Sequence, residues 1–311
     1  MTGKNATETL TADAAGIARA AEILRAGGLV ALPTETVYGL AARADSDTAI
    51  ARIYEAKGRP SFNPLIVHVA GMAQTERLAR FDSAARDLAE HHWPGPLTLV
   101  LPRRAEAKLA PAVSAGLPTV ALRCPAHSAM RAVLEATGVP LAAPSANRSG
   151  YVSPTSAAHV LETLDGRIDA VLDGGPCLAG LESTILAVRE DGRVDELRPG
   201  PIIVAPRDFT ARERRIEAPG QMASHYSPGK PVRLNAQSFE KDEFAIGFRD
   251  MPADCNLSAN GDLKEAAARL YACLHEAARS AKPRIAIAPV PDEGLGRAIN
   301  DRLRRAATPP D

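Results

Sequence analysis

Three stretches carry side chains whose types and spacing could do chemistry on an anionic substrate. The first is KGRPSFNPLIVH, Lys57 to His68. Lys57 and Arg59 flank a glycine. Two cations so placed can meet one polyphosphate, the lysine as a point charge and the arginine as a fork. A local explanation competes, because a cation in the last turn of a helix complements the helix dipole. It covers Lys57 well and Arg59 less well, since Arg59 lies past the cap. His68 falls inside an apolar strand run, where a histidine is more often a satisfied core residue than a ligand.

The second stretch is LPTETVYGLAA, which crowds Thr34, Glu35, Thr36 and Tyr38 directly after an apolar strand. Hydroxyls there can orient an amine or a carboxylate. A turn whose threonines bond to their own backbone is the commoner outcome. The third is AAPSANRSGYVSP, with Ser145, Asn147, Ser149, Gly150 and Ser153 in one loop. Small hydroxyls and exposed amides can form an anion nest, although Ser/Asn/Gly/Pro loops are common. Its place after a strand, where α/β sheets bind ligands, favours the nest modestly. Arg123 ends TVALR, Arg198 ends the second strand of a hairpin, and Ser183 and Thr184 open that hairpin. Lys57, Arg59, Arg123 and Arg198 would cage a triphosphate plus a carboxylate if the fold brings them together.

The elements that must position these residues alternate between helix and strand, the pattern of an α/β domain. AAGIARAAEILRAGG reads as a helix closed by Gly27 and Gly28, and LVALP as a buried strand. DTAIARIYEAKGRP is helical, with Gly58 suited to the position after the cap and Pro60 blocking continuation. PLIVHV, LTLVLP, TVALRCP and VPLAAP are strands; SAARDLAEHH and HSAMRAVLEATG are helices. STILAVREDGRVDELRPG reads as a hairpin with Asp191-Gly192 as a two-residue turn, which makes the sheet mixed. A proline-rich, charged stretch without period follows and reads as a connection between domains. Beyond it, PVRLN, FAIGF and RIAIAPV are strands. DLKEAAARLYACLHEAARS, capped by Asp262 with Glu265 three residues on, and GLGRAINDRLRRAA are helices.

Composition sets outer limits. The chain has 311 residues, 45% hydrophobic and 24% charged, so one large or two ordinary globular domains are expected. Net charge is zero, which argues against coating nucleic acid by bulk charge while allowing a local basic patch. Aromatics at 4% are too few for a platform that stacks single strands. Cys124, Cys177, Cys255 and Cys273 fit no zinc framework and are expected to be reduced, mostly buried thiols. No signal-peptide or membrane-length apolar run is present, so a cytoplasmic protein is expected. Walker A, the Rossmann glycine fingerprint, GxSxG and HExxH are absent as usable signals.

Taken together, PTETVYGL, KGRPSFNPLIVH, WPGPLTLVL, VALRCP, APSANRSG, GLESTI, LRPGPI and the linker PGQMASHYSP resemble the YrdC/Sua5 family in its long two-domain Sua5 form. PVPDEGLGRAINDRLRRAA looks like the Sua5 tail. The resemblance implies a YrdC-like twisted mixed sheet with helices over 1–206, an interdomain linker or lid over 207–231, and a smaller Rossmann-like α/β domain over 232–311. It implies a nucleotidyltransferase reaction. L-Threonine and bicarbonate form a carbamate that attacks the α-phosphate of ATP, giving threonylcarbamoyl-AMP and pyrophosphate. A separate transferase complex then modifies adenosine 37 of tRNAs that read ANN codons.

By motif, Thr36, His68, Arg123, Ala143 through its backbone, and Ser183 would hold threonine. Arg59, Asn63, Thr119, Ser145, Asn147, Ser153, Arg198 and Tyr226 would hold ATP, with Lys57 and Arg59 catalytic. Mg²⁺ is expected to arrive with ATP, and no protein side chain is expected to ligate a metal. One departure stands out: the linker segment between Pro-Gly and His-Tyr is QMAS, without the basic residues usual in the family. Two other readings compete. A double-stranded RNA or tRNA binder without catalysis would need a basic face that the neutral charge does not suggest. A carbamoylphosphate-using maturation protein would carry cysteine-rich zinc modules, which the cysteine spacing rejects.

Overall fold

The computed structural model describes residues 6–203, 217–222 and 224–309. Of the expected linker, 217–222 and 224–231 are described, and the rest lies outside these residues.

In chain order the first unit runs β1 (Glu8–Thr11), α1 (Ala14–Arg25), β2 (Val30–Leu32), β3 (Gly39–Arg43), α2 (Asp47–Lys57), β4 (Ile66–His68), α3 (Met72–Thr75), α4 (Ser83–His92), β5 (Leu97–Pro102), β6 (Thr119–Arg123), α5 (Ser128–Thr137), β7 (Leu141–Ala142), α6 (Ala157–Leu164), β8 (Ala170–Asp173), β9 (Thr184–Val188) and β10 (Val194–Arg198). Its ten strands form one sheet in the order β1-β8-β2-β3-β7-β4-β6-β5-β9-β10, with parallel and antiparallel pairs interleaved. The second unit runs β11 (Val232–Arg233), β12 (Glu243–Gly247), β13 (Cys255–Asn256), α7 (Leu263–Arg279), β14 (Arg284–Ile287) and α8 (Leu295–Ala307). Its four strands, ordered β11-β14-β12-β13, are all parallel, as the Rossmann-like expectation requires.

Local grammar explains how the chain leaves α2. Ser46 caps the start by accepting the Ala49 amide. At the end Gly58 takes the left-handed conformation, φ 58°, which costs glycine no Cβ clash. Its N–H donates to the Glu55 carbonyl, and the Arg59 N–H donates to Tyr54. This is a Schellman closure, and it fixes the direction in which Arg59 departs. At the hairpin, Gly192 N–H donates to Arg189 O and Arg189 N–H to Arg193 O. The loop therefore has three residues, with Gly192 at φ 79° closing a bulge, not the expected two-residue turn.

Packing joins the two units. Val37, Val152, Leu181 and Tyr226 lie in the same apolar cluster as the buried faces of α7, α8 and the second sheet. Gly180, at φ +66°, presses on α7: a Cβ there would lie 2.4 Å from the Ala267 carbonyl oxygen. Asp262 caps α7 as expected, accepting the Lys264 and Glu265 amides. Cys124 and Cys177 are free and buried. Cys255 and Cys273 are not: they form a disulfide that ties β13 to α7. Spacing rules for metal or CxxC sites could not reveal a pair that only the strand-helix crossover brings together. Strands β1, β3 and β8 and helix α6 also went unread in the sequence, because short elements between polar loops leave little period to detect.

Candidate functional site

Sheet register builds the heart of the site. β4 and β6 are parallel, and His68 pairs with Arg123. Both are the last residues of their strands and both are buried. Thr119 begins the strand that Arg123 ends. It therefore sits about 13 Å away along β6 and does not line the pocket. Arg123 is held from three sides: Nη2 donates to Glu35 Oε1 at 2.6 Å, Nη1 to Thr36 Oγ1 at 2.9 Å and Nε to the Gly95 carbonyl. Two of its five N–H groups remain for a ligand. Burial alone would raise the Glu35 carboxyl; the charge and hydrogen bond of Arg123 hold it below its usual range. Thr34 behaves as the turn explanation anticipates, bonding to the Val37 carbonyl and amide.

Around this pair a cleft is lined by Thr36, His68, Ala143 and Ser183 from the threonine set, and by Arg59, Ser145, Arg198 and Tyr226 from the ATP set. Pro219, Gly220 and His225 of the linker close one side. The cleft is tight: the centre of a water molecule can explore only about 40 Å³ of it. Thr98 and Ser183 hydroxyls bond at 2.7 Å across β5 and the start of β9.

Three buried cations here have no acidic partner among the described residues. Arg59 donates to the Asn63 and Pro64 carbonyls, and Arg198 to Ser183 O, Ser183 Oγ and Pro219 O. Lys57 donates to the Ser145 carbonyl at 2.6 Å and to that of Asn147. Lys57 thus stands behind the 145–147 loop and pins it, while Arg59 and Arg198 line the cleft itself. Burial pushes the Lys57 ammonium well below its usual range, and Arg59 adds to the effect. Burial lowers Arg59 to about 10.

Three of the polar atoms left without partners belong to residues that line this cleft, those of His68, His225 and Tyr226. Among the described residues, the buried side-chain atoms with no hydrogen bond are Asn63 Oδ1, His68 Nδ1, Asn147 Oδ1, His225 Nδ1 and Tyr226 Oη. Four of these five residues were singled out in the sequence, and the fifth adjoins Tyr226. Orphaned buried polar atoms are rare, and each calls for a partner such as a ligand or ordered water. His68 is thus buried but not a satisfied core residue, since Nδ1 has no partner. Burial and the Arg123 charge depress His68 to about 3, so it stays neutral. Tyr226 takes a left-handed backbone, φ 64°, with its ring 5.5 Å from the Arg302 guanidinium.

Ser153 stands behind the cleft, its hydroxyl donating to Glu182 at 2.6 Å. Glu182, unremarked in the sequence, also receives the Tyr271 hydroxyl at 2.9 Å and Arg302 Nε at 2.9 Å. Burial alone would raise its pKa, but Arg302 and Arg198 bring it down to about 2. One signal could have found this lock: Arg302 lies three residues after Ile299, on the buried face of α8, and a charge in core phase needs a partner. The QMAS segment has no cation of its own, and Arg305 of α8 donates to its Met222 carbonyl. Gln221 Oε1 accepts the Glu217 and Ala218 amides, Met222 Sδ meets Asn63 Nδ2, and Ser224 Oγ donates to Thr308 O.

Comparison with known proteins places this geometry. The Sua5_yciO_yrdC family, described as Telomere recombination, matches residues 22–200. The threonylcarbamoyl-AMP synthase C-terminal domain matches 182–308. A threonylcarbamoyl-AMP synthase of Bacillus subtilis is 40% identical over 334 aligned positions, covering 97% of this chain and 95% of that protein. The crystal structure of Pyrococcus abyssi Sua5 complexed with L-threonine superposes with a TM-score of 0.86 at 35% identity, covering 97% of each chain. Escherichia coli YciO, 21% identical with a TM-score of 0.54 over 62% of this chain, shares the fold of the first unit. With both domains present in this order, and similarity running nearly end to end, the chain belongs to the Sua5/YciO/YrdC family in its form with the Sua5 C-terminal domain.

Proposed function

We propose that the protein is an L-threonylcarbamoyladenylate synthase, a nucleotidyltransferase that supplies tRNA threonylcarbamoylation in the cytoplasm. The observation that carries this reading is the convergence on one cleft, beside the His68–Arg123 pair, of two buried arginines without ion pairs, Arg59 and Arg198, and the orphaned atoms of His68, His225 and Tyr226. Buried cations without acids are costly, and a polyphosphate would neutralise them.

Threonine and bicarbonate condense to a carbamate with loss of water. A carbamate oxygen then attacks the α-phosphorus of ATP. The new O–P bond forms as the bond to the β-phosphate oxygen breaks, and pyrophosphate leaves with that electron pair. Negative charge grows on the phosphoryl oxygens and the leaving group, so fixed cations serve better than a strong base. Arg59 and Arg198 would hold the phosphates, with Lys57 keeping the 145–147 loop in place behind them. The two free N–H groups of Arg123, with Thr36, His68, Ser183 and the Ala143 backbone, would hold the amino acid. Since the carbamate is itself the nucleophile, no covalent enzyme intermediate is expected.

Mg²⁺ would neutralise charge on ATP. The cleft's neighbouring carboxylates, Glu35 and Glu182, are committed to Arg123 and Arg302. Phosphate oxygens and water would therefore carry the ion. A downstream transferase complex would consume the adenylate, and direct contact with tRNA is possible without being needed for this step. The reading is tested by mass spectrometry with ¹³C-bicarbonate. Labelled carbon should appear in a threonyl adduct of AMP; AMP without that adduct would contradict the proposal.

A further inference from the structure

The seam between the units holds another cluster of ionisable side chains. His159 and Glu162 stand three residues apart on α6, so they share one helix face. His275 meets them from α7 of the second unit. One donor atom from each residue lies within 4.8 Å of the other two, the one such group among the described residues. The imidazoles of His159 and His275 stack, ring centres 3.8 Å apart.

The hydrogen bonds of His275 do not close with a neutral ring. Nε2 lies 3.2 Å from the Ser153 carbonyl oxygen, and Nδ1 lies 2.9 Å from Glu162 Oε2. Both oxygens only accept. A neutral imidazole has one N–H, so one contact sets a lone pair against an oxygen. A second proton would repair this, but it would put a charge on a ring that is buried and stacked on another imidazole. Arg279, 2.5 Å from Glu162 Oε1, adds a further positive charge. A divalent cation on Nδ1 removes the conflict and leaves Nε2–H to donate to Ser153. Metal-bound histidines are commonly fixed by such a second hydrogen bond.

We propose that His159, Glu162 and His275 form a divalent-cation site of the zinc-binding kind, which clamps the second unit to the loop carrying Ser153. Two neutral imidazoles and one carboxylate are a donor set that zinc accepts, with a fourth position left for water. Glu162 can give Oε2 to the ion and keep Oε1 for Arg279. His159 Nδ1 accepts the Thr155 amide at 3.4 Å and lies 3.3 Å from Thr155 Oγ1; binding through Nε2 would move the ring proton to Nδ1, which would then donate to that hydroxyl. Chelation asks the stacked rings to splay, because each lone pair must point at the ion from about 2.0–2.1 Å. This site is separate from any Mg²⁺ carried by ATP, and it departs from the sequence expectation that no side chain ligates a metal.

The test uses the full-length protein, stripped with EDTA, dialysed and titrated with zinc sulfate. Retained metal is measured by elemental analysis, and melting temperature with and without zinc. The expected result is one zinc per chain and a melting temperature raised by several degrees. Glu162→Gln should weaken zinc binding by about tenfold or more. The His159→Ala/His275→Ala double variant should retain no stoichiometric zinc and show no zinc-dependent rise. If the wild-type chain retains no zinc, the proposal is overturned and the cluster is a proton-bridged contact. It is equally overturned if both variants bind zinc as the wild type does, since the cysteines or surface would then be the ligands.

Discussion

Glu182 and Ser183 are neighbours in the chain, yet they belong to two buried polar clusters of opposite character. At the seam, the Glu182 carboxylate receives Ser153, Tyr271 and Arg302, and Arg302 also reaches Asp301 and the Pro199 carbonyl. Charge is matched and donors are used. In the cleft, Arg59 and Arg198 donate only to neutral acceptors among the described residues, and buried atoms of His68, His225 and Tyr226 have no partner. The Glu182 lock is complete in the protein alone, whereas the cleft is completed by something else. Burial is the same in both, so satisfaction, not depth, separates a structural lock from a binding site.

Breaking the seam should have the largest effect on stability. Arg302→Met leaves Glu182 buried and uncompensated, and should cost about 3–5 kcal/mol in urea denaturation. A loss below about 1 kcal/mol would erase the contrast. The cleft should respond the other way. Arg59→Ala or Arg198→Ala should lower kcat/KM for ATP by about a hundredfold or more, while the unfolding midpoint of Arg59→Ala holds or rises because a buried cation without an ion pair has gone. A stability loss rivalling that of Arg302→Met would place these arginines in the lock instead.

Tyr226 lies between the two regions, its ring packed on the seam and its hydroxyl orphaned in the cleft. Tyr226→Ala should raise the apparent KM for ATP by about tenfold, equivalent to roughly 1.4 kcal/mol. An unchanged KM would remove the linker from the nucleotide site.

Acid gives a gentler separation. His68 and His225 are held near 3 by burial, against an ordinary value of about 6.5. Between those values the unfolded chain binds more protons, so stability rises with pH. It should fall as pH drops from about 6.5 toward 3, with His159 contributing in the same sense. Glu182, folded at about 2, adds loss only below its ordinary carboxylate range. The His68→Asn/His225→Asn variant should flatten the decline between pH 6.5 and 4.5. An unaltered slope would mean that these rings do not stay neutral.

How much was legible follows from the same division. Lys57, Gly58 and Pro60 obey helix-end rules, and the Schellman closure that aims Arg59 follows from a glycine at one position. Arg123 could be placed at a strand end and His68 within a strand, but not side by side, because register depends on the whole sheet. Thr119 was carried into the site by motif and lies at the far end of β6. The Glu182–Arg302 lock joins residues 120 apart in sequence, and the core phase of Arg302 shows that a partner is needed without saying which. The Cys255–Cys273 bridge was missed because no local pattern announces such a pair.

The most direct test of the central claim is pyrophosphate release from ATP with each substrate omitted in turn. Release should require L-threonine and bicarbonate together, and should fall sharply in Arg59→Ala while that variant still folds. Release with ATP alone, or equally with any amino acid, would contradict the account.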